Sequence, residues 1–149
     1  MHHLRFCAVD GLYRRVRLMP MTRPAITAVY AVLLASLFLG LAVRAAYLRW
    51  HETDYLGQSS PRLTRAVRAH ANLAEYGPVA LLLMLLAELL AAPGFALHAL
   101  GTALVVARVI HAAGILRDPE PIWWRVVGFT LTCAVIGAAV IIIARSLRA

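Results

Sequence analysis

The sequence predicts an all-α membrane protein: a bundle of four transmembrane helices running up, down, up and down. Three observations carry that expectation. The chain has 149 residues, 62% of them hydrophobic, and a mean hydropathy of +0.75, too apolar for a soluble domain and long enough for four spans with short connections. Its long apolar runs are separated by short stretches rich in Pro, Gly, Ser or charge, which is how helix ends are punctuated. Finally, Ala92-Pro93-Gly94 is too tight a connection for anything but an antiparallel helical hairpin.

In chain order, residues 1–23 carry Arg5, Arg14, Arg15, Arg17 and Arg23 without an apolar run long enough for a signal-peptide core. They read as a disordered basic leader, with Met19 or Met21 as alternative starts. The first helix, about 24–50, opens with 20 uncharged residues from Pro24 to Val43, about 30 Å at 1.5 Å per residue. Arg44, Tyr47, Arg49 and Trp50 carry it out through the headgroup layer, where snorkelling guanidiniums and amphipathic rings are stable. His51 to Pro61, with Gly57, Gln58, Ser59 and Ser60, is the first loop. The second helix, about 63–91, exceeds one hydrocarbon thickness, so its first two turns with Arg65 and Arg68 project beyond the membrane. Pro78 kinks it or frees a carbonyl. The third helix, about 95–116, is broken by Asp118-Pro119-Glu120-Pro121. Trp123 and Trp124 anchor the fourth, about 122–145, whose stretch Val126 to Ala144 is uncharged.

Composition removes several functions. All 15 Lys+Arg positions are Arg and the net charge is +8, yet the arginines sit between apolar runs with no compact basic domain to grip a phosphate backbone, which argues against nucleic acid. Cys7 and Cys133 form no CxxC, against a thiol oxidoreductase using its own disulfide. Cys133, inside an apolar run, reads as a small core residue. There is no HExxH, and His70, His111 and Glu75 do not make a metal spacing, so no metal is expected.

What remains is polar chemistry at one rim. At 100° per residue, Arg68, Asn72 and Glu75 fall within roughly 60° of one another, with Tyr76 at the edge of that stripe and His70 pointing away. An unpaired carboxylate entering hydrocarbon costs roughly 2.5 to 3.5 kcal/mol, so Glu75 calls for a partner or a ligand. Counting from the tight turn, Glu75, Arg108 and His111 reach similar depth at the opposite end. An intramembrane Glu75–Arg108 ion pair is the bland alternative. Glu88 and His98, each four residues from the turn, read as a structural pair at the other face. Eight arginines flank loops one and three against seven on the other side. If translation starts at Met21, only Arg23, Arg145 and Arg148 remain on that other side, and loops one and three face the cytoplasm.

The run Arg68-Ala69-His70-Ala71-Asn72-Leu73-Ala74-Glu75-Tyr76-Gly77-Pro78 resembles the second-helix signature of the MAPEG family, the membrane-associated proteins of eicosanoid and glutathione metabolism, in bacterial-type form. Arg108 and His111 match that family's third-helix pattern, whereas Ile115 stands where many members have Tyr. The resemblance extends more weakly from Pro24 to Arg145. It implies a homotrimer with sites between subunits, and glutathione bound by Arg44, Arg68, Asn72, Glu75, Tyr76, Arg108 and His111. Arg125, or alternatively Arg117, falls near the thiol-activating arginine. The implied activity is a glutathione transferase or peroxidase acting on lipophilic electrophiles that arrive from the bilayer, in the cytoplasmic membrane of a bacterium with the site facing the cytoplasm. Two other readings stay open: a MAPEG-like binding or scaffold protein without catalysis, for which Ile115 and Ala71 speak, and a small multidrug-type exporter, which needs an intramembrane acid that the first helix lacks.

Overall fold

The computed structural model describes residues 23–52 and 60–148. The leader reading, its alternative starts and residues 53–59 of the first loop lie outside them. Four helices follow one another: α1 (Ala25–Glu52), α2 (Pro61–Leu89), α3 (Gly94–Leu116) and α4 (Ile122–Ser146). All four are long and apolar enough to cross a membrane, and they form an all-α four-helix bundle. α2 and α3 share its middle, each touching every other helix, while among the described residues α1 and α4 do not meet.

The helix ends differ from the expected ones by two residues or fewer, for local reasons. α2 begins at Pro61 because Ser60 caps it, its hydroxyl accepting from Leu63 N at 3.1 Å, and proline at the first helical position wastes no donor. It ends at Leu89 because Ala91 turns left-handed at φ 57°, and Ala92 N then bonds back to Ala87 O at 3.0 Å. That 6→1 bond closes the helix as a Schellman turn does.

Packing at the centre relies on close approach. A side chain at Gly101 would place Cβ 2.2 Å from the Tyr30 ring, and Gly128 lies directly on the α3 backbone. α4 buries the stripe Gly128, Thr132, Val135 and Ala139, one residue every turn. Cys133 sits about 100° off that stripe and is exposed, so it is not the core residue its apolar neighbours suggested.

At the turn end the polar side chains satisfy one another across helices. The Glu88 carboxylate accepts from Ile26 N at 2.9 Å and from Thr27 N at 2.7 Å, capping the first turn of α1 with a negative charge. Tyr30 donates to the His98 carbonyl at 3.1 Å, with His98 Nδ1 at 3.0 Å and Thr102 Oγ1 at 3.1 Å. Glu88 and His98 are structural, as expected, but each is satisfied by α1 rather than by the other.

Candidate functional site

At the opposite end, Arg108 is the largest fully buried side chain of the bundle, 2% exposed. Its Nη1 donates to Asn72 Oδ1 at 2.7 Å and its Nη2 to the Gly128 carbonyl at 3.2 Å, so it ties α3 to both α2 and α4. The guanidinium carbon stands 5.7 Å from the Tyr76 ring centroid, within cation–π range. Nε has no partner. A cation held only by neutral acceptors keeps its charge uncompensated, and no carboxylate among the described residues pairs with it.

Gly128 makes this possible. With a Cβ there, the atom would fall 2.6 Å from His111 Cβ, 2.7 Å from Ala107 O and 2.8 Å from His111 N, so only glycine lets α4 bring its carbonyl to Arg108. His111, also buried, sets its Nδ1 3.0 Å from the Arg125 carbonyl and thereby fixes the first turn of α4. Tyr76 meets Phe129 edge-on at 5.7 Å, which fixes the ring beside Arg108.

The α2 stripe divides. Asn72 and Tyr76, one turn apart, are half-buried toward Arg108, while Arg68 and Glu75, two turns apart, are exposed along the outer edge. The suggested Glu75–Arg108 ion pair is therefore not formed. Asn72 lies seventeen residues before the end of α2 at Leu89, and Arg108 fourteen after the start of α3 at Gly94. That leaves about 4.5 Å of axial offset, which an arginine side chain spans, and Asn72 faces it where Glu75 does not. Arg68 and Glu75 take part in no ion pair among the described residues.

The remaining expected residues lie around this cluster. The Arg125 guanidinium pairs with Glu120 at 2.8 Å, at the head of α4. Arg117 stacks on Trp124, 4.0 Å from the ring centroid, committed to an aromatic face. Arg44 lines a hollow at the rim with Arg62, Arg65, Leu116 and Asp118. Ile115 is 3% exposed in the core, so that position offers no hydroxyl to a ligand. Sequence reasoning missed the Gly128 carbonyl; α4 carries two glycines, Gly128 and Gly137, and nothing in the sequence marks Gly128 as the one in contact with α3.

The model of the MAPEG family matches residues 27–145. The chain is also similar to the inner membrane protein YecN of Escherichia coli strain K12, 32% identical over 113 residues that cover 74% of this chain and 85% of YecN. YecN of Escherichia coli O6:H1 matches to the same extent.

Proposed function

The chain belongs to the MAPEG family, and from that premise we propose that it is an integral inner-membrane protein that binds glutathione and uses its thiolate against lipophilic electrophiles or peroxides. One observation carries the reading: a buried Arg108 with no carboxylate partner among the described residues, held by Asn72 and Gly128, beside an exposed Arg68 and Glu75 on the same rim. Glutathione has two carboxylates, an ammonium and a thiol. Guanidinium groups take carboxylates as two-pronged donors, and Glu75 suits the ammonium. The family resemblance implies a homotrimer with sites between subunits, and outward-facing Arg68 and Glu75 suit a site of that kind, at the loop-one and loop-three end turned to the cytoplasm.

Arg125 is the candidate for thiol activation. A cation beside a thiol in a partly dry site lowers its pKa from near 8.5 and raises the thiolate fraction at neutral pH. Glu120 holds Arg125 at 2.8 Å, and a thiolate would share that guanidinium. With an aryl halide, the thiolate forms the new C–S bond, halide leaves with the bonding pair, and the thiol proton goes to water. No protein residue forms a covalent bond.

The buried Ile115 favours a second reading, binding without catalysis. Calorimetry of glutathione binding in detergent, paired with turnover of a chromogenic aryl halide, separates the two. Wild type is expected to bind and turn over, Glu75→Gln to lose binding, and Arg125→Ala to lose turnover with binding retained. Binding without turnover in wild type assigns the second reading; no binding by any form overturns both.

A further inference from the structure

The described histidines differ in what their rings are left free to do. His98 belongs to the turn end, its Nδ1 3.0 Å from the Tyr30 hydroxyl. His51 stacks on Tyr47 at the end of α1, ring centroids 4.4 Å apart. His70 stacks on Phe38 at the same distance, with Nε2 sealed and without a partner. His111 alone among them stands inside the arginine cluster, with the Arg108 and Arg125 guanidiniums and the Glu120 carboxylate all within electrostatic reach of its ring. Its Nδ1 lies 3.0 Å from the Arg125 carbonyl. A carbonyl only accepts, so Nδ1 carries its hydrogen in either charge state of the ring, and the lone pair of the neutral imidazole is confined to Nε2. Nε2 forms no hydrogen bond among the described residues and, unlike Arg108 Nε and His70 Nε2, is not sealed inside the bundle. Fixing the first turn of α4 needs a donor alone; an amide would serve, without bringing a second, basic nitrogen to the same end.

We propose that His111 is the general base for the thiol, an inference that rests on the glutathione reading above and says where the proton first goes. The residue that anchors the ring through its carbonyl is the one whose guanidinium is assigned to the sulfur, so the first turn of α4 positions both the acceptor for the proton and the counterion for the thiolate. The S–H bond breaks, its electron pair stays on sulfur beside Arg125, and the proton moves to Nε2. The imidazolium returns that proton to water once the product has formed, so the overall balance is that of the halide displacement. An imidazole, with an ordinary pKa of about 6.5, suits a thiol that a guanidinium brings down from about 8.5. Glu120, within reach of the ring, is the carboxylate that steadies the imidazolium.

The test adds glutathione without electrophile to the full chain in detergent at about pH 7.5, above the ordinary imidazole pKa and below that of a free thiol. Thiolate is followed by its ultraviolet absorbance and proton release by an indicator dye in weak buffer. Wild type is expected to form thiolate while releasing little acid, the proton being kept on Nε2. In His111→Asn the amide nitrogen takes the place of Nδ1 and keeps the tie to the Arg125 carbonyl, but no base remains. That variant should release a proton for every thiolate it forms and lose about a hundredfold in aryl halide turnover, recovering as the pH rises toward the thiol's own range. Its affinity for S-methylglutathione, which has no thiol proton, should be unchanged. Full proton release by wild type overturns the proposal, and so does retention of the proton by His111→Asn. A fall in S-methylglutathione affinity that matches the fall in turnover also overturns it, marking His111 as structural. Should His111→Asn fail to fold, the wild-type proton count decides alone. Thiolate formed with full release removes the base and leaves the glutathione reading standing; no binding of glutathione by wild type removes both.

Discussion

Replacing Gly128 with Ala tests whether the contact between α3 and α4 holds the buried arginine. The added methyl would meet His111 Cβ at 2.6 Å, Ala107 O at 2.7 Å and His111 N at 2.8 Å. None of these atoms is the end of a flexible side chain, so the helices must part. Overpacking of this kind costs about 1 to 3 kcal/mol. Separation also lengthens the Arg108 Nη2 bond to the Gly128 carbonyl, 3.2 Å at rest, and a hydrogen bond from a charged donor contributes about 1.5 to 3 kcal/mol. The combined loss of roughly 3 to 5 kcal/mol corresponds to a fall in unfolding temperature of roughly 10 °C for a chain of this size. Gly137→Ala is the control, because a Cβ there meets nothing within 4 Å; as a plain helical Gly→Ala change it should be neutral or gain up to about 1 kcal/mol. Thermal unfolding in detergent, followed by tryptophan fluorescence, compares the two. If both variants melt within a degree or two of wild type, α3 and α4 do not approach as described and the account of Arg108 fails with them.

Three further changes follow from the same geometry. Asn72→Asp supplies the carboxylate that Arg108 lacks, and it should stabilise the unliganded protein in thermal unfolding while lowering glutathione affinity at least tenfold in calorimetry; unchanged affinity would separate Arg108 from the ligand. Glu88→Gln keeps the shape of the α1 cap but removes its charge, at an expected cost of about 0.5 to 1 kcal/mol, read as a fall in unfolding temperature of a few degrees. Ala91→Gly relieves a left-handed alanine at φ 57° and should raise stability by about 1 kcal/mol; a loss of stability would show that the turn is held by contacts of the Ala91 methyl.

The helices were legible because each depends on its own residues. A run of uncharged residues as long as a bilayer and a Pro-Gly turn act within a few positions, and the observed ends depart by no more than two residues. The pairings across helices were not legible in the same way. The hairpin count treated the turn as the origin for both helices, but α2 stops at Leu89 and Ala91 unwinds, and that shift together with the facing of the α2 stripe gives Arg108 the amide of Asn72 in place of the carboxylate of Glu75. Glu88 escaped for another reason: its partners are backbone N–H groups of Ile26 and Thr27, which carry no side-chain signature. Cys133 shows the limit of reading apolar runs, since in a membrane helix the lipid face is as apolar as the core and hydropathy does not tell them apart.

The two ends of the bundle treat their polar residues differently, and that difference bears on function more than any single residue does. At the turn end Glu88, Tyr30 and His98 find partners within the chain, so removing water from them leaves no charge that a ligand must answer. At the other end a buried guanidinium is held by neutral acceptors alone, and Arg68, Glu75 and Arg44 are in no ion pair among the described residues. A fold that needed only to span the bilayer gains nothing from this: a buried unpaired charge costs several kcal/mol even after relaxation, and an apolar side chain of similar volume at position 108 would pack without that cost. The arrangement is understandable if an anionic ligand completes it. The charge imbalance at that end, rather than the family likeness, is the physical reason to look for ligands there.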